Sequence, residues 1–399
     1  MGVAIIVGDI HLGKGVSIGK PGVGNALNSR VVDQLKLLDW VVDQAIEQNA
    51  AMIILTGDIC EDPKPDYRLV DIFVKFLKRC EHTNIEVHIV SGNHDIKRTG
   101  TQYISVLDIL TSAELPMAHV YKKPATIFMS GAGITLFPFK DRGSLNCASN
   151  AEAIEALGQK IPYEASEIPD NYDRILVGHL ALEGSIFVGD ESDSLANELM
   201  CPVSMFSDYD YIWMGHVHKP QVMSQKPYAA HIGSLDISDF GETDHVKHIV
   251  VFDSSKKERF KHIPIPSRPL RKIAIEVPKG SDPTDYVLEQ IDDAEKTRAI
   301  KNSIVRINIK LLEDMENVDR QRVEGRLSKY NAFYICDFVE SRAMSVVPLS
   351  KQELMDNTIG PKDAVKLYAE EEKFKSDDDK LRYIDLANGI IDKFYAKVK

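Results

Sequence analysis

Five short apolar runs in the first 218 residues each end in a polar motif built from Asp, Asn, His and Gly. VAIIV leads to Asp9-Ile10-His11, MIILT to Gly57-Asp58, VHIV to Gly92-Asn93-His94-Asp95, RILV to Gly178-His179, and YIWM to Gly215-His216-Val217-His218. Apolar runs of this length, bounded by glycine or turn residues, read as buried β-strands. In an α/β sheet, side chains just past the carboxyl ends of the strands converge on one crevice. Two Asp, one Asn and several His gathered there form a mixed oxygen and nitrogen ligand set, which predicts a metal site. Core histidines satisfied by hydrogen bonds would account for one such motif but not for five.

At 399 residues the chain is long enough for two or three domains, and its 44% hydrophobic content can fill real cores. No stretch approaches the ~20 apolar residues of a membrane span. The chain opens on MGVAIIVGDIH, with no basic segment ahead of the first strand, so neither a signal peptide nor a myristoylation site is expected. Cys60, Cys80, Cys147, Cys201 and Cys336 show no CxxC spacing, which fits a reducing compartment. The expectation is a cytoplasmic protein, with no membrane partner.

A net charge of −12 argues against a nucleic-acid substrate, because phosphate binding is driven by Lys and Arg. The distribution weakens that objection. Lys256, Lys257, Arg259, Lys261, Arg268, Arg271, Lys272 and Lys279 face only Glu258 and Glu276 between positions 254 and 279. Glu370-Glu371-Glu372 and Asp377-Asp378-Asp379 make the end of the chain acidic. This asymmetry is compatible with a basic DNA-facing region and an acidic tail, and equally with a solvated charged face.

Three regions separate. Residues 1–265 hold the motifs and alternate strand-like runs with helical patterns, one from Val31 to Gln48 with Val31, Leu35, Leu38, Val42 and Ile46 at helical spacing. Pro264, Pro266 and Pro269 mark a boundary. Residues 266–348 read as a small α+β domain, with strands in IAIEV, SIVRINI and AFYICDFV around a helix near Tyr286 to Lys296. Residues 349–399 are charged and helical, with Ile384, Ala387, Ile391, Phe394 and Val398 on one face.

The ordered set D-x-H, GD, GNHD, GH and GHxH resembles the signature of the calcineurin-like metallophosphoesterases. That resemblance implies an α/β fold in which a two-sheet β-sandwich is flanked by helices. It also implies a centre for two divalent ions, most often manganese. One ion would take Asp9, His11 and His218, the other Asn93, His179 and His216, with Asp58 bridging. Two ions roughly 3.5–4 Å apart can clamp a phosphodiester and activate a water. His94 would face the substrate as the catalytic group, and Asp95 would stand behind it as an orienting residue or a turn residue.

The segment His231-Ile232-Gly233-Ser234-Leu235-Asp236, then Phe240-Gly241-Glu242 and Lys247, is similar to the nuclease subunits of SbcCD-type complexes, as is Arg30-Val31-Val32-Asp33. That family implies a capping domain that helps hold DNA, a helical tail that docks on an SbcC-like ABC-type ATPase, and a homodimer. The segments around Leu69–Lys78 and Tyr103–Leu110 are candidate dimer surfaces that also read as core. A phage source would suit the divergent tail. The implied function is a DNA exonuclease and endonuclease of repair and recombination, acting on duplex ends, single strands or hairpins. The alternatives are a phosphodiesterase or phosphatase of the same fold acting on small molecules or phosphoproteins, and a DNA-tethering scaffold.

The chain departs from the family at Glu61, where His is frequent three residues after the bridging Asp, and this puts activity without the partner in question. The loop GKGVSIGKPGVGN lacks P-loop spacing. Its Lys14 and Lys20 are weaker candidates for DNA contacts than Lys97 and Arg98, and Arg268 and Arg271 complete that set.

Overall fold

The computed structural model describes residues 2–99, 102–113, 115–188 and 198–343, together with 362, 365–366, 368–369, 374 and 376–397. The chain divides into two compact units, Met1–Arg342 and Ala343–Lys399.

The first unit is built on two six-stranded sheets. In one, Val3–Val7, Met52–Leu55, Glu86–Val90 and Ala118–Tyr121 run parallel, and His248–Asp253 and Phe260–Pro264 add antiparallel strands at the edge. In the other, Ala132–Phe137, Asp173–Gly178, Tyr211–Met214 and Tyr228–His231 are parallel, with antiparallel Ala125–Met129 and Gln221–Gln225 outside them. Side chains alternate between faces along a strand, and both faces are buried. Ala4, Ile6 and Ile54 point inward to meet Ile134, Ile175, Val177 and Trp213 of the facing sheet. Ile5, Val7, Ile53 and Leu55 point outward onto the helices Ser29–Glu47 and Tyr67–His82. Leu176, Ile212 and Met214 cover the other side with the helix Asn150–Ser166. The result is the expected two-sheet sandwich flanked by helices.

Two details depart from the apolar periodicity. In Ser29–Glu47 the buried stripe runs through Val31, Gln34, Leu37, Leu38, Val41, Val42 and Ala45, while Ile46 is 49% exposed. Arg30 and Asp33 share the buried face, because each has an ionic partner there. The candidate dimer helix buries Ile72, Phe73, Phe76 and Leu77 in the chain's own core. Of the second candidate dimer segment, Leu107 and Leu110 are likewise buried, Ile109 is exposed, and the side chain of Tyr103 lies outside the described residues.

Within the same unit, Leu270–Glu276 and Ile304–Leu312 pair in parallel through the crossover helix Pro283–Thr297, and Tyr334–Ala343 completes a three-stranded sheet. A further helix, Arg320–Lys329, was not anticipated; Val323 and Leu327, four residues apart, are its buried residues. These elements close over their own core of Ile275, Val287, Ile291, Ile307 and Leu327. They join the sandwich through Ile18, Phe240, Leu270 and Ile304, so the glycine-rich loop is anchored by Ile18.

The second unit contains the helix Asp377–Lys397. Ile384, Ala387 and Ile391 are half-buried, as the helical pattern anticipated, while Leu381, Leu386 and Ile390 are exposed. The side chain of Phe394, and Val398, lie outside the described residues. Among the described residues no helix is long and apolar enough to cross a membrane.

Candidate metal centre

The parallel strands Val3–Val7, Met52–Leu55, Glu86–Val90, Asp173–Gly178 and Tyr211–Met214 all end at the same edge of the sandwich, and each is followed by its motif. The loops are tied to one another through the backbone. His11 N donates to Asp58 O at 2.8 Å, His179 N to Phe137 O at 3.0 Å, and Gly215 N to Gly178 O at 2.9 Å. A side chain on Gly92 would collide with the Asp58 carboxylate, and one on Gly215 with that of Asp9. Glycine at these motif positions is therefore a condition for bringing the acids in. His11, Asp58 and His216 have left-handed backbone at φ 48°, 48° and 75°, a conformation costing about 1–3 kcal/mol for a non-glycine residue and typical of functional sites.

Asp9, His11 and His218 place donor atoms within 4.8 Å of one another, as do Asp58, His179 and His216. Asp58 Oδ2 lies 3.5 Å from His11 Nε2 in the first group and 3.2 Å from His179 Nε2 in the second, which is the position of a bridge. Asn93 Oδ1 lies 2.8 Å from His179 Nε2 and 3.0 Å from His216 Nδ1.

The outer nitrogens of the four imidazoles explain how the inner ones present themselves. His179 Nδ1 faces the Thr56 carbonyl oxygen at 3.0 Å, which can only accept, so Nδ1 carries a proton and Nε2 is the nitrogen turned inward. His216 turns Nε2 to Glu198 Oε2 at 2.9 Å and Nδ1 inward. His218 turns Nδ1 to Glu242 Oε1 at 3.3 Å, and His11 turns Nδ1 to Glu61 Oε2 at 2.7 Å. Their two inward nitrogens stand 2.9 Å apart. Four inward nitrogens, the Asn93 oxygen and two carboxylates thus face each other, an arrangement a cation satisfies. Imidazoles backed by carboxylates or carbonyls are the usual construction of a metal site. The donor set fits two divalent ions.

Electrostatics agree. Burial disfavours charge on Asp58, yet His179, His11 and His94 hold its carboxyl well below the usual range. Burial likewise opposes protonation of His179, but Asp58 and Asp9 raise it to about 10. The potential that draws a proton there draws a metal ion as well.

His94 stands beside the ligands. Its backbone N donates to Asp58 Oδ1 at 2.8 Å, and its Nδ1 to the Glu61 carbonyl at 2.7 Å. Its side chain is 36% exposed, Nδ1 is engaged, and a ring nitrogen of His94 comes within 4.8 Å of donor atoms of His11 and Asp58. Asp95 does not touch His94. Its carboxylate accepts from Ile59 N at 2.8 Å and Gly92 N at 2.9 Å, bracing the two loops that carry Asp58 and Asn93.

The basic residues are dispersed. Lys14 pairs with Glu61 at 3.3 Å. Lys20 is exposed at the loop surface, and Lys97 lies beside Lys64, whose contact lowers its pKa. The side chain of Arg98 lies outside the described residues. Arg268 makes a bidentate pair with Asp33 at 2.7 Å, and Arg271 donates to Ala299 O and Leu270 O. The pairing Val3↔Asp253 puts Lys256, Lys257 and Arg259 at the end of the sheet opposite the metal centre. A cavity of about 950 Å³ is also at that far end, lined by Asn84, Glu86 and Ser130.

Glu198, Glu242 and Lys247 contact the candidate ligands His216 and His218 from outside the five motifs. Lys247 is buried and donates to His218 O and Ser234 Oγ at 2.7 Å, with Glu242 at 2.9 Å. The FGE…K spacing marked two of them; Glu198 has no motif around it.

The calcineurin-like phosphoesterase family model matches residues 3–220. The SbcD component of the SbcCD nuclease from Staphylococcus epidermidis is 24% identical over 287 residues, covering 67% of this chain and 72% of the relative. Its counterpart in the SbcCD nuclease of Escherichia coli K12 is 23% identical over 261 residues, 60% of this chain and 64% of its own length. A solved dimetal phosphatase from Danio rerio overlaps 66% of this chain and 96% of its own, at 11% identity and a TM-score of 0.41. With more than half its length matched, and each ligand motif at the end of its strand, this chain belongs to the calcineurin-like phosphoesterases.

Proposed function

We propose that the chain is a two-metal DNA nuclease, cleaving phosphodiester bonds at duplex ends, in single strands or at hairpins, as the nuclease subunit of a bacterial or phage SbcCD-like complex. The carrying observation is the convergence of Asp9, His11, Asp58, Asn93, His179, His216 and His218, with His94 drawn in beside His11 and Asp58. Two divalent ions, manganese in this reading, would supply a polarised phosphoryl oxygen and an activated water. The residues supply the rest. Asp58 orients His94 through its backbone amide, and the Glu61 carbonyl fixes its tautomer. His94 Nε2 is then free to hold a proton at the leaving oxygen.

The choice of DNA over a small ester rests on two supports. Similarity to the SbcCD nuclease components spans 287 residues, longer than the 3–220 catalytic match. The residues beyond it build a separate sheet with its own core, which suits a capping domain at 266–348. For a tail at 349–399 that docks on an SbcC-like ATPase in the cytoplasm, the support is the exposed Leu381, Leu386 and Ile390 of its helix.

The test is cleavage of end-labelled linear duplex DNA in manganese, beside bis(p-nitrophenyl) phosphate, with wild type and His94→Gln. DNA cleavage that His94→Gln removes while metal stays bound supports the reading. Hydrolysis of the small ester with DNA untouched, even with a candidate ATPase present, overturns it in favour of a small-substrate phosphodiesterase.

A further inference from the structure

Three loops meet beside Asn93 because the backbone stitches them together. Ser91 N donates to Tyr121 O at 3.0 Å, and Phe139 N donates to Ser91 O at 2.9 Å. Lys122 follows Tyr121, and Lys140 follows Phe139, so both are pinned within a few residues of a metal ligand. They line a groove of about 460 Å³ together with Asn93, Ile96, Lys123 and Phe139. The Phe139 ring lies 5.8 Å from the ring of His216 and 6.1 Å from that of His179, so the groove starts at the second ligand group.

Its charge is positive. Lys122 and Lys123 are exposed and Lys140 is half-buried. Lys140 Nζ reaches the Lys122 carbonyl at 3.4 Å. Of the nearby acids, Asp108 pairs with Lys122, and Asp141 is engaged as a turn cap by Ser144 N at 2.6 Å. Holding several ammonium groups together in a partly buried groove is unfavourable without a counter-charge, and burial with the neighbouring Lys160 and Lys123 lowers the Lys140 pKa. Lysines spaced along a groove that opens at a phosphodiesterase centre suit successive phosphates of one strand.

We propose that this groove is a subsite for the DNA strand on one side of the scissile phosphate, with Lys123 and Lys140 contacting its phosphates. The proposal rests on the nuclease reading and adds the path of the strand. It is tested with a fluorescein-labelled single-stranded oligonucleotide, calcium replacing manganese, by anisotropy across a salt series. The proteins are wild type, Lys123→Ala/Lys140→Ala, the surface variant Lys123→Glu, and Lys256→Ala/Lys257→Ala at the far end of the sheet. Melting temperatures confirm that each is folded.

The groove double variant is expected to bind about tenfold or more weakly, its log–log salt slope lower by roughly 0.7 per lost phosphate contact, with Lys123→Glu weakened and the far-end pair unchanged. Equal affinity and slope in wild type and both groove variants overturns the proposal while the nuclease reading stands. So does an equal loss in the far-end pair. Wild type that binds no DNA yet hydrolyses the small diester overturns both.

Discussion

Glu242 presents Oε1 to His218 Nδ1 at 3.3 Å while Lys247 holds its other oxygen at 2.9 Å. Both charged side chains are almost wholly buried. Burial would raise the Glu242 carboxyl, but His218 and Lys247 bring it to about 2. One ionised pair therefore does two jobs, orienting the His218 imidazole and, through Lys247, tying His218 O to Ser234.

Removing one partner of a buried pair leaves the other charge uncompensated, at a cost of about 3–5 kcal/mol. Glu242→Ala is expected to lose that much stability in urea unfolding. Its affinity for manganese should fall by about 10–100-fold, the effect of deleting a carboxylate behind a ligating histidine. Unchanged metal affinity would assign the pair to folding alone.

Glu61 serves His11 in the same way and also contacts Lys14. Burial raises its carboxyl, but His11, Lys14 and His94 pull it down to about 2. Glu61→Gln keeps the shape and removes the charge. It is expected to weaken one of two manganese sites by about tenfold in calorimetric titration, with the other unaffected. Two unaltered sites would contradict that role.

Arg268 bridges the two halves of the first unit. It pairs with Asp33 on the first helix and lies 3.7 Å over the Phe333 ring beside the three-stranded sheet. Asp33 keeps Arg30 as a partner, so Arg268→Ala is expected to destabilise the chain by about 1.5–3 kcal/mol, the range for hydrogen bonds to a charged group, and to speed amide exchange in Leu270–Glu276 and Ile304–Leu312 more than in the sandwich strands. Uniform exchange across both would contradict it.

Acid should destabilise the fold well above the carboxylate range. Burial, then His119, lowers His88 from 6.5 to about 4; burial, then His262, does the same to His248. Both stay neutral in the fold while the unfolded chain takes up protons below pH ~6.5. Their contribution is intact above that pH and is lost as pH falls toward 4, by up to about 3 kcal/mol each. Urea midpoints at pH 7.5, 6.0 and 5.0 should fall, and His88→Gln/His248→Gln should flatten the decline.

The residues that converge at the candidate centre were legible in the sequence because each motif directly follows a strand and the strands are plain apolar runs. What lay outside the motifs was harder to read. Glu198 reaches His216 from a segment with no strand or spacing to mark it. Asp95 resembles a partner for the adjacent His94, yet its carboxylate turns to the backbone amides of Ile59 and Gly92. Apolar spacing placed Ile46 inside because it cannot see that Arg30 and Asp33, ion-paired, share the buried face. The helix Arg320–Lys329 was hidden because Val323 and Leu327 are its whole buried stripe. Basic composition pointed to 254–279, whereas register sends Lys256 and Lys257 to the end of the sheet away from the ligands.

In the proposed centre Asp58 joins the two ligand groups into one. Electron paramagnetic resonance of the chain loaded with manganese tests it most directly. Two ions per chain with an exchange-coupled signal, reduced to uncoupled manganese in Asp58→Asn, is the expected result. An isolated-ion spectrum in wild type at saturating manganese, unchanged by Asp58→Asn, would contradict it.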